Sequence, residues 1–165
     1  QFTMKNKIKI LFLAVVPLLF YGCSDDDKNN EEIQQICYPT NISMTVNGEF
    51  IEMEALGRGI MLTQNGYILD LNFGHYKSDP TKEVAISIVL PYQKLGKNLL
   101  SNFSFHYYFG NEYFSGNITN GTVNSEVISN TNKCFYMTFS ATLTNNNKTY
   151  EIKDGIIKYT YEEPF

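Results

Sequence analysis

The chain of 165 residues carries a formal net charge of −4, and 15% of its residues are aromatic although tryptophan is absent. Beyond the first nine residues the lysines are dispersed, and Arg58 is the single arginine. The clustered cations that hold a phosphate backbone are therefore missing, which excludes nucleic acid as an expected partner. Residues 37–165 are enough for one ordinary domain.

The N-terminal segment has the pattern of a secretory signal peptide. Three lysines at positions 5, 7 and 9 precede the apolar run Ile10 to Tyr21, and Gly22-Cys23 ends this run. A positive start, a short apolar core and a small residue at the cut site are the parts of such a leader. The run is too short for a membrane-spanning helix. We therefore predict a signal peptide over residues 1–22, with Met4 as the true start.

Phe20-Tyr21-Gly22-Cys23 resembles the lipobox of bacterial lipoproteins. The resemblance implies that Cys23 is acylated, as with palmitate, and becomes the first residue of the mature chain. Ser24-Asp25-Asp26-Asp27 resembles the surface-export signal of Bacteroidota lipoproteins. It implies an outer-membrane lipoprotein exposed at the cell surface, with a periplasm-facing anchor as the alternative. Residues 23–36 form an acidic tether in this interpretation, and the acyl chains hold the membrane.

The first predicted element after the tether is a hairpin over residues 41–55. Asn47-Gly48 is the dipeptide that a type I′ turn requires. Pairing the strands across it gives one apolar face and one polar face, so turn chemistry and hydrophobic register agree. The predicted pairs are Met44 with Ile51 and Ile42 with Met53.

The next elements repeat this pattern of alternating strands and turn residues. A second hairpin is predicted around Asn65-Gly66, with Leu62 opposite Leu69 and Ile60 opposite Leu71. Further strands are predicted at 83–90, 103–109, 122–129 and 133–144, and Asp154-Gly155 is predicted to turn a final hairpin between 149–153 and 156–162. The whole is an all-β domain, expected to be an antiparallel β-sandwich of about nine strands. A lipocalin-like up-and-down β-barrel is the alternative.

Cys37 and Cys134 are the two cysteines that remain after Cys23. An exported chain meets an oxidising compartment, so a disulfide between them is expected, the alternative being two buried thiols. Closing so long a loop stabilises a fold by ~4 to 5 kcal/mol in the chain-entropy model.

Catalytic and metal motifs are absent from the sequence. His75 is predicted in a loop with Ser78 and Asp79, where a triad would lack a rigid scaffold, and His106 is predicted on a strand surface. No metal-ligand spacing or cofactor motif occurs. We expect a non-enzymatic protein without catalytic residues, metal or cofactor.

The densest feature is the aromatic stretch Phe103 to Phe114, FSFHYYFGNEYF. Exposed rings beside polar groups can cover the apolar face of a sugar while the polar groups hold its hydroxyls. The alternative is ordinary core packing, since aromatic residues favour strands. The candidate ligand platform consists of Tyr107, Tyr108, Tyr113 and Phe114, of which Tyr113 and Phe114 are predicted in a loop.

Three functions follow as expectations. The first is a non-enzymatic binding or structural domain for a glycan or a protein partner. The second is a β-barrel carrier of a lipid or small apolar ligand, which a cavity lined by Ile60, Leu69 and Phe105 would favour. The third and weakest is an envelope hydrolase, which would need a cleft that brings His106 together with an acidic residue.

Overall fold

A computed structural model describes residues 37–75 and 82–165. Within these residues there are ten strands, and the one helical element is a 3-10 turn at Ile118–Asn120. No helix in this part of the chain is long and apolar enough to cross a bilayer. The predicted signal peptide, Cys23 and the tether lie outside the described residues. The strands are β1 Asn41–Val46, β2 Glu49–Thr63, β3 Gly66–His75, β4 Lys82–Pro91, β5 Gly96–Lys97, β6 Asn102–Phe109, β7 Glu112–Asn117, β8 Gly121–Asn130, β9 Cys134–Asn145 and β10 Lys148–Thr160.

The strands form one antiparallel sheet in the order β5-β8-β9-β10-β1-β2-β3-β4-β6-β7. The first strand pairs with the last, and most of the other neighbours are consecutive in the chain. This is the order of a meander whose ends are β5 and β7, and the sheet curls into a half-barrel. The all-β antiparallel prediction is confirmed, and the shape is consistent with both the sandwich and the barrel-like alternatives.

The long strand β2 joins the two halves of the sheet. Its first part pairs with β1 and its second part with β3, and the register shifts between Ala55 and Gly57. A bulge of this kind bends a strand and increases its twist. We call β1, β5, β8, β9 and β10 the terminal half, and β3, β4, β6 and β7 the middle half. Rings from both halves meet in one core, with centroids 5.7 Å apart for Phe103 and Phe139.

The alternation of apolar residues along β4 and β9 predicts one buried face for each strand, and both buried faces are confirmed. Alternate side chains along both strands are buried, as expected for a sheet with one face in the core. The first hairpin also has the predicted register, and Asn47 and Gly48 adopt φ values of 49° and 88°. The buried side chains on these two strands are Val84, Ile86, Ile88, Leu90, Phe135, Met137, Phe139, Ala141 and Leu143.

The second hairpin turns one residue earlier than predicted. Thr63 pairs with Gly66 and Leu62 with Tyr67, so Leu62 does not face Leu69 and Ile60 does not face Leu71. The Thr63 hydroxyl donates to the Gly66 carbonyl at 2.7 Å and accepts from the Asn65 amide at 3.2 Å. This side-chain bridge fixes Gln64 and Asn65 as the turn, and Gly66 takes φ 107° just after it.

The final hairpin predicted at Asp154-Gly155 is wrong, because β10 runs unbroken from Lys148 to Thr160. Asp154 has φ 50°, and the register against β9 shifts between Ile152 and Gly155. The dipeptide therefore forms a bulge. Strand β10 lies between β9 and β1, and it pairs with both of them before and after the bulge. The hydrogen bonds to two neighbouring strands are therefore favoured over a local turn at Asp154-Gly155.

Three further residues that were predicted in loops lie in strands: His75 in β3, and Tyr113 and Phe114 in β7. His75 is the last residue of β3 and its Nδ1 lies 2.7 Å from the Glu52 carbonyl oxygen, while Ser78 and Asp79 fall outside the described residues. Tyr113 belongs to β7, which follows a turn at Gly110 and Asn111. The sequence of β7 does not show alternating hydrophobic residues, because one of its two buried positions is Gly116. A Cβ at Gly116 would lie 2.9 Å from the Phe114 ring.

Cys37 and Cys134 form a disulfide bond with their Cα atoms 5.7 Å apart. Cys134 is buried where β9 begins, so the bridge fastens the segment before β1 to the terminal half. Tyr38 supports this attachment, because its ring lies 5.4 Å from that of Tyr136 and its carbonyl accepts a hydrogen bond from Thr160 at 2.7 Å.

Candidate functional site

Two exposed tyrosines stand side by side on the outer face of the middle half. Tyr108 on β6 lies directly opposite Tyr113 on β7, and Glu83 on β4 lies opposite Tyr108 on its other side. Directly opposite residues project from the same face of a sheet. Tyr108 is 44% exposed and Tyr113 is 61% exposed. We call Glu83, Tyr108, Tyr113 and the neighbouring His106 and Ser115 the tyrosine face.

A hollow of about 390 Å³ lies on the tyrosine face, lined by Glu83, His106, Tyr107, Tyr108 and Tyr113. His106 is exposed and pairs in register with Ser115. The hollow thus combines two aromatic rings with a carboxylate and an imidazole. Such a mixture can pack against a flat apolar surface and also hydrogen-bond the polar groups at its edge.

Phe114 and Tyr107 do not complete the platform as predicted. Phe114 is 3% exposed, and its ring lies 4.3 Å from that of Tyr150 across the core. Tyr107 is partly buried and packs against the core at 5.2 Å from the Tyr150 ring, although it also lines the hollow. Both residues alternate with Tyr108 and Tyr113 along their strands, so they project to the opposite face.

One polar contact joins the core ring of Tyr150 to the first residue of β7, the strand that carries Tyr113. The Tyr150 hydroxyl donates to Glu112 Oε1 at 2.5 Å. This bond and the nearby Lys148 lower the pKa of Glu112. Burial, followed by the same carboxylate, raises the pKa of Tyr150 well above 10.0. Burial likewise raises the pKa of Tyr107, so these hydroxyls remain neutral donors at physiological pH.

A second hollow of about 290 Å³ lies further along the same outer face, over β2 and β3. Gly57 and Gly59 leave it open, because a Cβ at Gly59 would meet nothing within 4 Å. A polar chain follows across the strands: Asn72 donates to Asp70 Oδ1 at 3.1 Å, and Ser87 donates to Asn72 Oδ1 at 2.6 Å. These bonds fix the orientation of the amide and leave the other Asp70 oxygen for a ligand hydroxyl.

Small side chains separate the two hollows. From Asp70 on β3 to Tyr113 on β7 the distance is six residues along the strands, or roughly 20 Å, and three strand spacings, or roughly 14 Å, across the sheet. The intervening outward positions form a low surface between the hollows. They are occupied by Ala85, Ser87 and Ser104, and Gly74 opposite Ala85 is buried.

A larger hollow of about 570 Å³ lies on the terminal half, and its side chains are mostly polar, including Asn124, Glu126, Thr138 and Ser140. Its one aromatic residue, Phe139, is buried in the core with 5% exposure. It therefore lacks the exposed aromatic rings that the tyrosine face presents.

The positions expected for a carrier cavity belong to the core. Leu69 and Phe105 are fully buried, and Ile60 packs against the same cluster. Among residues 37–75 and 82–165, no group of three or more His, Cys, Asp or Glu side chains could hold a metal ion.

The sequence contained two signals for the parts that were missed. Gly110-Asn111 is a dipeptide typical of hairpin turns, and it would have placed Tyr113 on a strand opposite Tyr108. Asp70 and Asn72 alternate with the apolar residues of β3, which indicates that they face away from the core, but their bonds to each other and to Ser87 depend on pairing with β4.

Comparison with known proteins gives no relative: the chain matches no protein-family model, no curated protein and no solved structure.

Proposed function

We propose that this chain is a lipid-anchored binding protein of the bacterial cell envelope, and that its β-domain binds a carbohydrate on the tyrosine face. Cys23 carries the acyl anchor, and the domain stands on the outer surface of the outer membrane. The observation that carries the proposal is the exposed pair Tyr108 and Tyr113, in register on neighbouring strands beside Glu83 and His106.

The chemistry of the face suits a sugar better than a charged polymer. Two adjacent phenol rings offer a flat apolar surface with a hydroxyl at each tip. Glu83 and His106 supply an acceptor and an adaptable ring nitrogen at the edge of that surface. Asp70, Asn72 and Ser87 extend the polar groups along the same face, which fits a ligand of several linked sugars.

A glycan panel tests the binding, with immobilised oligosaccharides and the wild-type chain. For a glycan that binds, Tyr108→Ala and Tyr113→Ala should each weaken the affinity by about tenfold, because each removes a central stacking ring. Tyr67→Ala is the matched control, since Tyr67 is 58% exposed but lies at a distant hairpin tip. Equal losses in all three variants, or binding of a fatty acid in place of any glycan, would contradict the proposal.

The anchor is tested separately in a bacterial host. The wild-type chain should incorporate a labelled fatty acid and be cut by protease added to intact cells. Cys23→Ser should abolish the label. A labelled chain that resists external protease would place the anchor on the periplasmic side.

A hydrolase is the second candidate, because Glu83 and His106 line one hollow and Ser115 lies opposite His106. All three stand on an outer face open to water, whereas efficient acid–base catalysis depends on positioned groups in a water-excluded site. The glycan that binds should therefore be recovered intact. Release of shorter sugars that stops in His106→Ala would replace the binding role with a hydrolytic one.

A further inference from the structure

Five chain segments meet at one end of the sheet, which we call the disulfide end. They are residues 37–40, residues 64–67 at the turn of the second hairpin, residues 92–95, residues 130–134 and residues 161–165. Contacts link them one to the next: the Cys37–Cys134 bond, the Phe165 amide to the Asn132 carbonyl at 3.0 Å, the Asn130 side chain to the Lys94 carbonyl at 3.3 Å, and the Tyr92 amide to the Tyr67 carbonyl at 2.9 Å.

Large apolar side chains are exposed at this end. Leu62 is 68% exposed, Tyr67 is 58% exposed and Leu95 is 59% exposed. Leu62 and Tyr67 form a cross-strand pair next to the turn of the second hairpin. Leu95 follows the turn that holds Tyr92 against Tyr67. Clustered apolar side chains in water mark a contact surface for a membrane or a protein.

The position of the chain entry favours a membrane. The described domain begins at Cys37, so the tether reaches the domain at the disulfide end. The thirteen residues 24–36 span at most roughly 45 Å, which keeps this end near the acyl anchor. The exposed Lys94 and Lys133 equal in number Glu162 and Glu163, so the side chains of these segments carry no net charge.

We propose that the disulfide end lies on the bilayer surface, with Leu62, Tyr67 and Leu95 inserted among the lipid headgroups. Leucine gains by leaving water and tyrosine is suited to the interface, where its ring is apolar and its hydroxyl stays hydrated. This placement rests on the proposed acyl anchor. The turn between β6 and β7 lies at the opposite end of the sheet, so the tyrosine face points away from the membrane toward its ligand.

The absence of tryptophan allows a direct test. The protein is the chain from residue 23 onward with Cys23→Ser, which has no acyl group. Leu62→Trp and Leu95→Trp each place a single tryptophan at the disulfide end. Phe50→Trp is the matched control, because Phe50 is 64% exposed beside the first hairpin turn at the other end. Vesicles are made of phosphatidylcholine alone or of equal parts phosphatidylcholine and phosphatidylglycerol.

We expect the emission of Leu62→Trp and Leu95→Trp to shift to shorter wavelength with both kinds of vesicle, and that of Phe50→Trp to stay unchanged. Leu62→Ser should lower the vesicle partition coefficient by about tenfold, and Phe50→Ser should leave it unaltered. No shift at the disulfide end, or an equal shift at Phe50, would overturn the proposal. A shift without vesicles together with dimers in sedimentation would assign the surface to a second copy of the chain. Because the protein is unacylated, failure here leaves the result of fatty-acid labelling at Cys23 untouched.

Discussion

Removing the Cys37–Cys134 bond should cost the domain about 4 to 5 kcal/mol of unfolding free energy. The bond spans a sequence separation of 97, and a loop of that length lowers the entropy of the unfolded chain by a corresponding amount in the chain-entropy model. The perturbation is Cys37→Ser with Cys134→Ser, in a chain whose Cys23 is also serine. The folded state should keep its shape, because Tyr38 still packs on Tyr136 and still accepts from Thr160.

The same magnitude can be read as a change in melting temperature. For a domain of this size about 1 kcal/mol corresponds to a few degrees, so the double variant should melt about 15 °C below the parent. Thermal and urea unfolding followed by circular dichroism measure both quantities. The parent in reducing buffer is the matched control, and it should coincide with the double variant.

Two results would refute this reasoning. If the reduced parent melts within a few degrees of the oxidised protein, then the bridge does not constrain the unfolded ensemble. If the double variant loses its native spectrum at low temperature, then the bridge is a folded-state requirement and the entropic account is wrong.

Labelling of the unfolded, unreduced parent with a thiol reagent should find no free cysteine.

Two further predictions concern stability. Gly155→Ala should destabilise the domain by about 1 to 3 kcal/mol in urea unfolding, because the new Cβ would lie 2.5 Å from the Phe139 ring. Gly59→Ala is the control, because a Cβ at Gly59 meets no atom within 4 Å and should change the stability little. Equal effects of the two substitutions would contradict the packing argument. Tyr150→Phe should lower the free energy of unfolding mainly between pH 4.5 and pH 10.0, the ordinary pKa values of a glutamate and a tyrosine. The lowered pKa of Glu112 contributes stability that is lost as the pH falls. The raised pKa of Tyr150 contributes stability that is lost as the pH rises above 10.0. Unfolding across pH measures this, and a constant difference between parent and variant at every pH would count against the Tyr150–Glu112 contact.

The class of the domain and much of its core follow from local sequence patterns. Strict alternation along β4 and β9 placed the buried side chains, because successive residues of a strand face opposite sides. Asn47-Gly48 set the first hairpin to the residue, since its turn and its hydrophobic register point to the same pairing. The sequence also showed the tyrosines that line the candidate site, but not which of them are exposed.

Whether a turn signal makes a turn depends on the pairing of strands that are distant in the chain. Asn47-Gly48 and Asp154-Gly155 are equally good local signals, yet the second is a bulge, because β10 has partners on both sides whose ladders continue through it. Strand pairing also determines the candidate site. Tyr108 and Tyr113 lie opposite each other only because β6 and β7 pair in this register. Phe114 is buried in the core, where its ring packs against Tyr150. Local chemistry sets what each residue can do, and pairing between distant strands selects among these options because it buries far more surface than any single turn.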